Sequence, residues 1–240
     1  MLAVGSLALT GCGQKNQSNP NAGKGGGTTS KSAPLQDLNI KSRDEVKDGG
    51  TVRSSIETLP ATWNALHIDG NTVDLSTTIM GFVGANNFDI AEDGTPKPDT
   101  DYLQSYDVQT NGGKQVVTLH LNPKAKWNSG RTIDYTDYQA TWKANNGANE
   151  DFKMASSDGF NQIESVKKGD KDTDVVITYK ATYPDWTATW SSVMPKEGVG
   201  TPETFNNGWK QFKPEWFTGP FTLDRIDQAQ KTLYLSLIHI

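Results

Sequence analysis

Few residues in this chain stand where bond-making chemistry would need them. A hydrolytic site needs a nucleophile, a base within hydrogen-bond reach and a third group that orients the base. The chain has 3 histidines, of which His239 lies in the last two residues and only His67 and His120 fall within patterned sequence. His120 sits between Leu119 and Leu121 on the polar face of an alternating segment, so it reads as an exposed strand position and not as a base. No Gly-x-Ser-x-Gly elbow is present. Asp134 and Asp137 imitate a carboxylate pair. Their three-residue spacing before an apolar stretch is better explained as a helix cap and the residue that reaches back to it. Asp170, Asp172 and Asp174 alternate through a turn but lack the glycine and closing glutamate of a calcium loop, and no His/Cys cluster has zinc spacing. The sequence therefore assigns no catalytic residue, no metal and no cofactor, and the expectation is a binding protein and not an enzyme.

The elements that would carry a binding site are mixed α and β. The densest signal runs from Asp93 to Lys143. Residues 102–122 read as a hairpin, with Asn111-Gly112 supplying the positive φ values of a two-residue turn and Val117, Leu119 and Leu121 burying one face of the return strand. The loop Trp127-Asn128-Ser129-Gly130 leads to a helix over Asp134–Ala144 that carries Tyr135, Tyr138 and Trp142. Elsewhere the pattern predicts strands at Thr51–Ile56, Ile163–Lys167 and Asp174–Lys180. It predicts helices at Asp74–Phe82, Asp185–Val193 and Thr201–Trp209, the last opened by Pro202, and a second hairpin from Phe221–Ile226 and Lys231–Tyr234.

Composition narrows the class. The formal net charge is −5, and there are 7 tryptophans, 23 glycines and 1 cysteine. No basic stripe exists, so nucleic acid is not an expected partner. A lone cysteine forbids an internal disulfide. Leu2 to Leu9 is a short apolar run, too short to span a bilayer, and it fits the end of a signal peptide over residues 1–11. Leu9-Thr10-Gly11-Cys12 follows directly and resembles a bacterial lipobox, which implies cleavage before Cys12 and acylation of its thiol. The segment to about residue 47 is rich in Gly, Ser, Asn, Gln and Lys and reads as a tether that buries too little apolar surface to order itself.

The order of pieces after Gly49 resembles the bacterial extracellular solute-binding proteins of family 5, the peptide- and nickel-binding receptors of ABC importers. The resemblance rests on Asp48-Gly49-Gly50-Thr51-Val52-Arg53, on Leu59 to Leu66, on the Asp93–Lys143 stretch, on Asp158 to Val166 and on Gly219-Pro220-Phe221-Thr222-Leu223. Asp101-Tyr102-Leu103-Gln104 and Ser129-Gly130-Arg131-Thr132 depart from the family pattern, which leaves the ligand class open. The resemblance implies an α/β fold, the N-terminal lobe (residues 48–234) of a two-lobed periplasmic-binding-protein-like architecture, type II, in the large peptide-binding cluster, with about 75–180 forming an inserted subdomain. It implies a monomeric receptor at the outer face of the cytoplasmic membrane that takes a peptide, a nickel chelate or another small solute and hands it to a membrane permease. A surface lipoprotein with a structural or adhesive role is the competing class, and a secreted hydrolase a more distant one.

In that family the ligand lies between the lobes and meets backbone groups. The expected contributors here are Glu57, Trp63, Asn64 and His67 from the loop after the first strand, and Asp158 and Phe160 before Ile163. Trp63 offers an aromatic face and Asn64 both a donor and an acceptor. The same residues also suit a core position and a turn. Trp186, Trp190, Trp209, Trp216 and Phe217 read as packing. Leu235-Ser236-Leu237-Ile238-His239-Ile240 is encoded by one codon choice that resembles a transposon adapter from library preparation. Residues 235–240 are therefore expected to be foreign and the chain truncated, with a genuine apolar strand as the alternative.

Overall fold

The computed structural model describes residues 41–47 and 49–238. The leader, Cys12 and most of the tether lie outside the described residues, as do Asp48, His239 and Ile240.

The first hairpin organises the fold. Strands β1 (Phe88–Ile90) and β2 (Pro96–Pro98) form a small ribbon before it. Strands β3 (Leu103–Asn111) and β4 (Lys114–Leu121) then pair antiparallel, with Asn111 opposite Lys114. The two turn residues are therefore Gly112 and Gly113, at φ 57° and 80°, one position later than the expected Asn111-Gly112. A turn of this type needs positive φ at both central positions, and Gly-Gly supplies it without strain. Strands β5 (Ile163–Lys168) and β6 (Asp174–Tyr179) complete an antiparallel sheet of order β3-β4-β6-β5. The β4 alternation is as expected: Val117, Leu119 and Leu121 are buried. β3 is an exposed edge along nearly its whole length.

Two cores result. The sheet core gathers Val117, Leu119, Val175, Ile177 and Tyr179 with Tyr138, Phe160, Trp186 and Trp190. The second core gathers Trp63, Leu75, Val83, Met194, Phe205, Trp209 and Phe217. The expected helix near residue 74 winds as a π-helical turn over Asp74–Ile79 and continues as α1 (Met80–Val83). It packs in the second core, whereas the sheet core draws its residues from Phe88 onward.

Helix α2 (Tyr135–Asn145) joins both cores, through Tyr138 to one and Ala144 to the other. The expected cap is present. Asp134 accepts from Thr136 N, and Asp137 accepts from Asp134 N at 3.1 Å. Short helices α3 (Trp186–Thr189), α4 (Lys196–Val199) and α5 (Pro202–Asn207) follow, and Thr201 caps the last with Pro202 in its first position. Strands β7 (Phe221–Asp227) and β8 (Thr232–Leu237) form the second expected hairpin, in which Leu235 and Leu237 pair with Leu223 and Phe221. Any apolar run would pair in this way, so the geometry is silent on the origin of residues 235–237.

One expected strand is absent. Thr51–Ile56 pairs with none of the described residues, and its side chains are largely exposed. A strand needs a neighbouring backbone, and none of the described residues lies in register with it. It borders a cavity of about 790 Å³ that it shares with Phe82, Phe221 and β8.

Asp137 does more than cap. Its fully buried carboxylate accepts from Trp127 Nε1 at 3.0 Å, from Arg131 Nη1 at 3.0 Å and Nη2 at 2.6 Å, and from Lys196 N at 2.9 Å. Burial alone would push the Arg131 guanidinium down, but its bonds to Asp137 and Glu197 outweigh that and raise it. Asp137→Ala is expected to cost about 3–5 kcal/mol, because it leaves Arg131 without its buried partner. Glu197→Ala removes the half-exposed partner of the same arginine and should cost under about 1 kcal/mol. Urea unfolding of both variants checks this; equal, small losses would contradict it.

Candidate functional site

Residues 64–71 and 153–160, far apart in sequence, meet along a short ribbon. Ile68 N donates to Lys153 O and Ala155 N donates to Leu66 O, both at 2.9 Å, with His67 opposite Met154. Beside this ribbon opens a groove of about 290 Å³. Ala65, Leu66 and Asn71 line it from the first segment, and Ala155, Ser156, Asp158 and Phe160 from the second. Tyr183, Ala188, Thr189, Ser191 and Ser192 line it from a third.

Each segment is held by identifiable bonds. Asn64 is buried, donates through Nδ2 to Phe205 O at 3.0 Å and accepts from Leu66 N at 3.0 Å. Gly159 has φ +76°, and a Cβ there would lie 2.1 Å from Thr189 Oγ1, so only glycine lets the second segment approach the third. The third segment is fastened by side chains. Buried Asn87 donates from its backbone N to Ser191 O at 2.9 Å and through Nδ2 to Trp190 O at 2.7 Å. Tyr138 donates to Asn87 Oδ1 at 2.7 Å. Thr141 Oγ1 accepts from Met194 N at 3.1 Å and donates to Met194 O at 3.2 Å. Between these anchors the backbone groups of Ser192 and Val193 bond to no described residue. The result is a short anchored backbone rail in which Ser192 lines the groove, its main-chain donor and acceptor unused among the described residues, while Val193 is buried in the sheet core.

The residues expected to meet a ligand divide into two sets. Asp158 and Phe160 line the groove, Asp158 exposed and Phe160 mostly buried against Trp190 at 5.5 Å between ring centroids. Trp63, Asn64 and His67 are buried behind it and present no surface. Trp63 packs edge-on against Phe212 at 4.8 Å and Phe217 at 6.4 Å, and its backbone N donates to Trp209 O at 2.8 Å. Of the two readings of Trp63 and Asn64, the structure favours core and turn. His67 Nδ1 accepts from Asp69 N at 3.0 Å, which places its proton on the buried and unpartnered Nε2. Desolvation lowers its pKa despite the nearby Asp69. Glu57 is exposed and away from the groove, and its loop is held where Glu57 N and Thr58 N both donate to Asp74 Oδ2 at 2.9 Å. Sequence reasoning missed Ala65, Ser191, Ser192 and the anchors Asn87 and Thr141. For Asn87 and Thr141, a polar residue beside apolar neighbours was the only signal; Ala65, Ser191 and Ser192 carried none.

His120 is not the plain exposed position expected. Its Nδ1 lies 2.9 Å from Asp174 Oδ1 and its Nε2 3.1 Å from Asp107 Oδ2, so one imidazole links β3, β4 and β6. Among the described residues no serine or threonine side chain bonds to it, and the trio reads as an electrostatic strap. Among the described residues no group of histidine, cysteine and carboxylates is placed to hold a metal ion.

Comparison with known proteins fits this architecture. A family profile described as "Bacterial extracellular solute-binding proteins, family 5 Middle" matches residues 95–235. The chain is 32% identical over 241 residues to proteins of Mycobacterium bovis and Mycobacterium tuberculosis named oligopeptide-binding protein OppA, a match that covers 97% of this chain and 39% of each relative. The chain thus spans 39% of the length of those relatives. Among solved structures, the periplasmic EDTA-binding protein EppA superposes with a TM-score of 0.62 at 22% identity, over 70% of this chain and 32% of that one. AppA from Bacillus subtilis, solved in complex with a nonapeptide, gives 0.59 at 19% identity, over 72% of this chain and 33% of that one. These likenesses establish the fold.

The strap has a pH signature. Hydrogen bonds to Asp174 first, and to Asp107, raise the His120 pKa above its ordinary value. A group raised on folding stabilises fully below its unfolded pKa of about 6.5 and loses that contribution as pH rises through the folded value. The urea midpoint should therefore fall on the alkaline side of that window, and His120→Asn should flatten the decline. An unchanged slope in the variant would contradict the strap.

Proposed function

Because the chain belongs to the bacterial extracellular solute-binding proteins of family 5, we propose that it is part of a two-lobed receptor that binds peptides outside the cytoplasmic membrane and delivers them to an ABC permease. The observation that carries this reading is the anchored rail at Ser192, whose main-chain groups are unused among the described residues beside a groove of mixed apolar and hydroxyl lining. An extended peptide needs alternating donors and acceptors, and an anchored backbone offers both at little ordering cost. The lobe described here supplies one wall. A second lobe, in the longer protein, closes over the ligand and excludes water. Asp158 and Phe160 contact the ligand directly, whereas Trp63, Asn64 and His67 act by fixing the loop that bears Ala65 and Leu66. No catalytic step, metal or cofactor is part of this function.

We infer a lipid anchor at Cys12 from the lipobox-like Leu9-Thr10-Gly11-Cys12, with the Gly-rich segment as spacer and the receptor acting as a monomer. Intact-mass analysis of the membrane-extracted protein should find a diacylglyceryl addition on a mature chain that begins at Cys12, and Cys12→Ser should release the protein. A wild-type mass without lipid would refute the anchor.

Calorimetry of the full-length protein against a peptide library tests the binding reading. Ala188 is an exposed lining residue, so Ala188→Trp fills the groove without disturbing the core. It is expected to weaken peptide binding by about two orders of magnitude, roughly 2.7 kcal/mol, with no change in melting temperature. Undiminished affinity in a folded variant would count against the groove.

A further inference from the structure

The groove carries one fixed charge and no counter-charge. Among the described residues, Asp158 is the only carboxylate in the lining and no Lys, Arg or His joins it; the rest are apolar, hydroxyl-bearing or amide side chains. Its placement is defined: Asp158 N donates to Ser156 Oγ at 3.0 Å, and the following Gly159 is locked against Thr189. Its carboxylate, in contrast, accepts no hydrogen bond and has no salt-bridge partner among the described residues. Some carboxylates of the lobe are paired, Asp137 with Arg131, Asp107 and Asp174 with His120, Glu164 with Lys114 and Asp172 with Lys168; others, such as Glu92, Glu150 and Asp185, are as free as Asp158 but lie outside the groove lining. The nearest cation in sequence, Lys153, lies outside the lining.

We propose that this groove sorts ligands by charge, taking those that present an amine and disfavouring those that present a carboxylate, with Asp158 as the selecting residue. The inference rests on the reading of the groove as the ligand site and adds the chemical class that the site prefers. The free carboxylate can accept two or more charge-assisted hydrogen bonds from an ammonium group. A ligand carboxylate at the same place meets like charge with no base nearby to offset it. When a second lobe covers the groove and removes water, the discrimination increases, because the same charges then interact through a lower dielectric.

The test uses the full-length protein and a peptide that it binds, prepared in four forms: with a lysine, with that lysine N-acetylated, with a glutamate in its place, and with the peptide's own N-terminus acetylated. The wild type should bind the lysine form about tenfold more tightly than the acetyl-lysine form, equivalent to about 1.4 kcal/mol. It should bind the glutamate form least well, and the preference should shrink as salt is added. If the preferred amine is the chain terminus, the loss appears on N-terminal acetylation instead, which equally supports selection by Asp158. In Asp158→Asn the ratio between amine and acetylated forms should fall toward one. A ratio that persists in Asp158→Asn, while Ala188→Trp still abolishes binding, overturns charge selection by Asp158 and leaves the groove standing as the site. Binding that survives Ala188→Trp removes the groove itself, and this proposal with it.

Discussion

The lobe depends on one buried carboxylate. Asp137 accepts from Trp127, from both terminal nitrogens of Arg131, from the backbone of Asp134 and from the backbone of Lys196. Removing a carboxylate from water costs several kcal/mol, and only this many well-aligned donors can offset it. The bonds fix the entry of α2, the loop Trp127–Arg131 and the start of α4 relative to one another. From that fixed helix, Tyr138 reaches Asn87, which holds Trp190 and Ser191, and Thr141 clamps Met194. The backbone rail of the groove is thus positioned through α2, at one remove from the ion pair that orients it. Two cores packed on opposite faces of one helix, Tyr135, Tyr138 and Trp142 toward one and Ala140 and Ala144 toward the other, keep that chain of contacts rigid.

The sequence exposed local rules well and tertiary ones poorly. The β4 alternation, the Asp134–Asp137 cap and the Pro202 start were readable because each depends on neighbours within a few residues. The turn was displaced by one position because Asn111 and Gly112 both tolerate positive φ, and the register of Val108 opposite Val117 decides between them. The Thr51–Ile56 strand failed for the opposite reason, since β-propensity does not create a partner. Asp137 looked complete as a capping residue; its pairing with Arg131 arises only when the loop folds over the helix. Trp63 beside Asn64 fits a pocket and a core equally in sequence, and Phe212 and Phe217 settle it in space. Asp158 and Phe160 were reached through the family resemblance, and the groove they line had no local signature.

Two cavities among the described residues differ in how their walls are held. The larger, about 790 Å³, is walled by Gly49–Ile56 and by β8, whose outward backbone groups are unpaired among the described residues and form an edge of the kind that accepts another strand. The smaller, about 290 Å³, is walled by segments that side-chain bonds have already fixed, with main-chain groups left free. Preorganisation distinguishes them, because a site that must first order its own walls pays for that in affinity.

Hydrogen exchange of the full-length protein with and without a bound peptide tests this choice most directly. The account predicts ligand-dependent protection of amides at 65–71, 155–160 and 188–193, and no change on the outer strand β3. Protection confined to 49–56 and 232–237, with the groove segments exchanging as in the free protein, would contradict it.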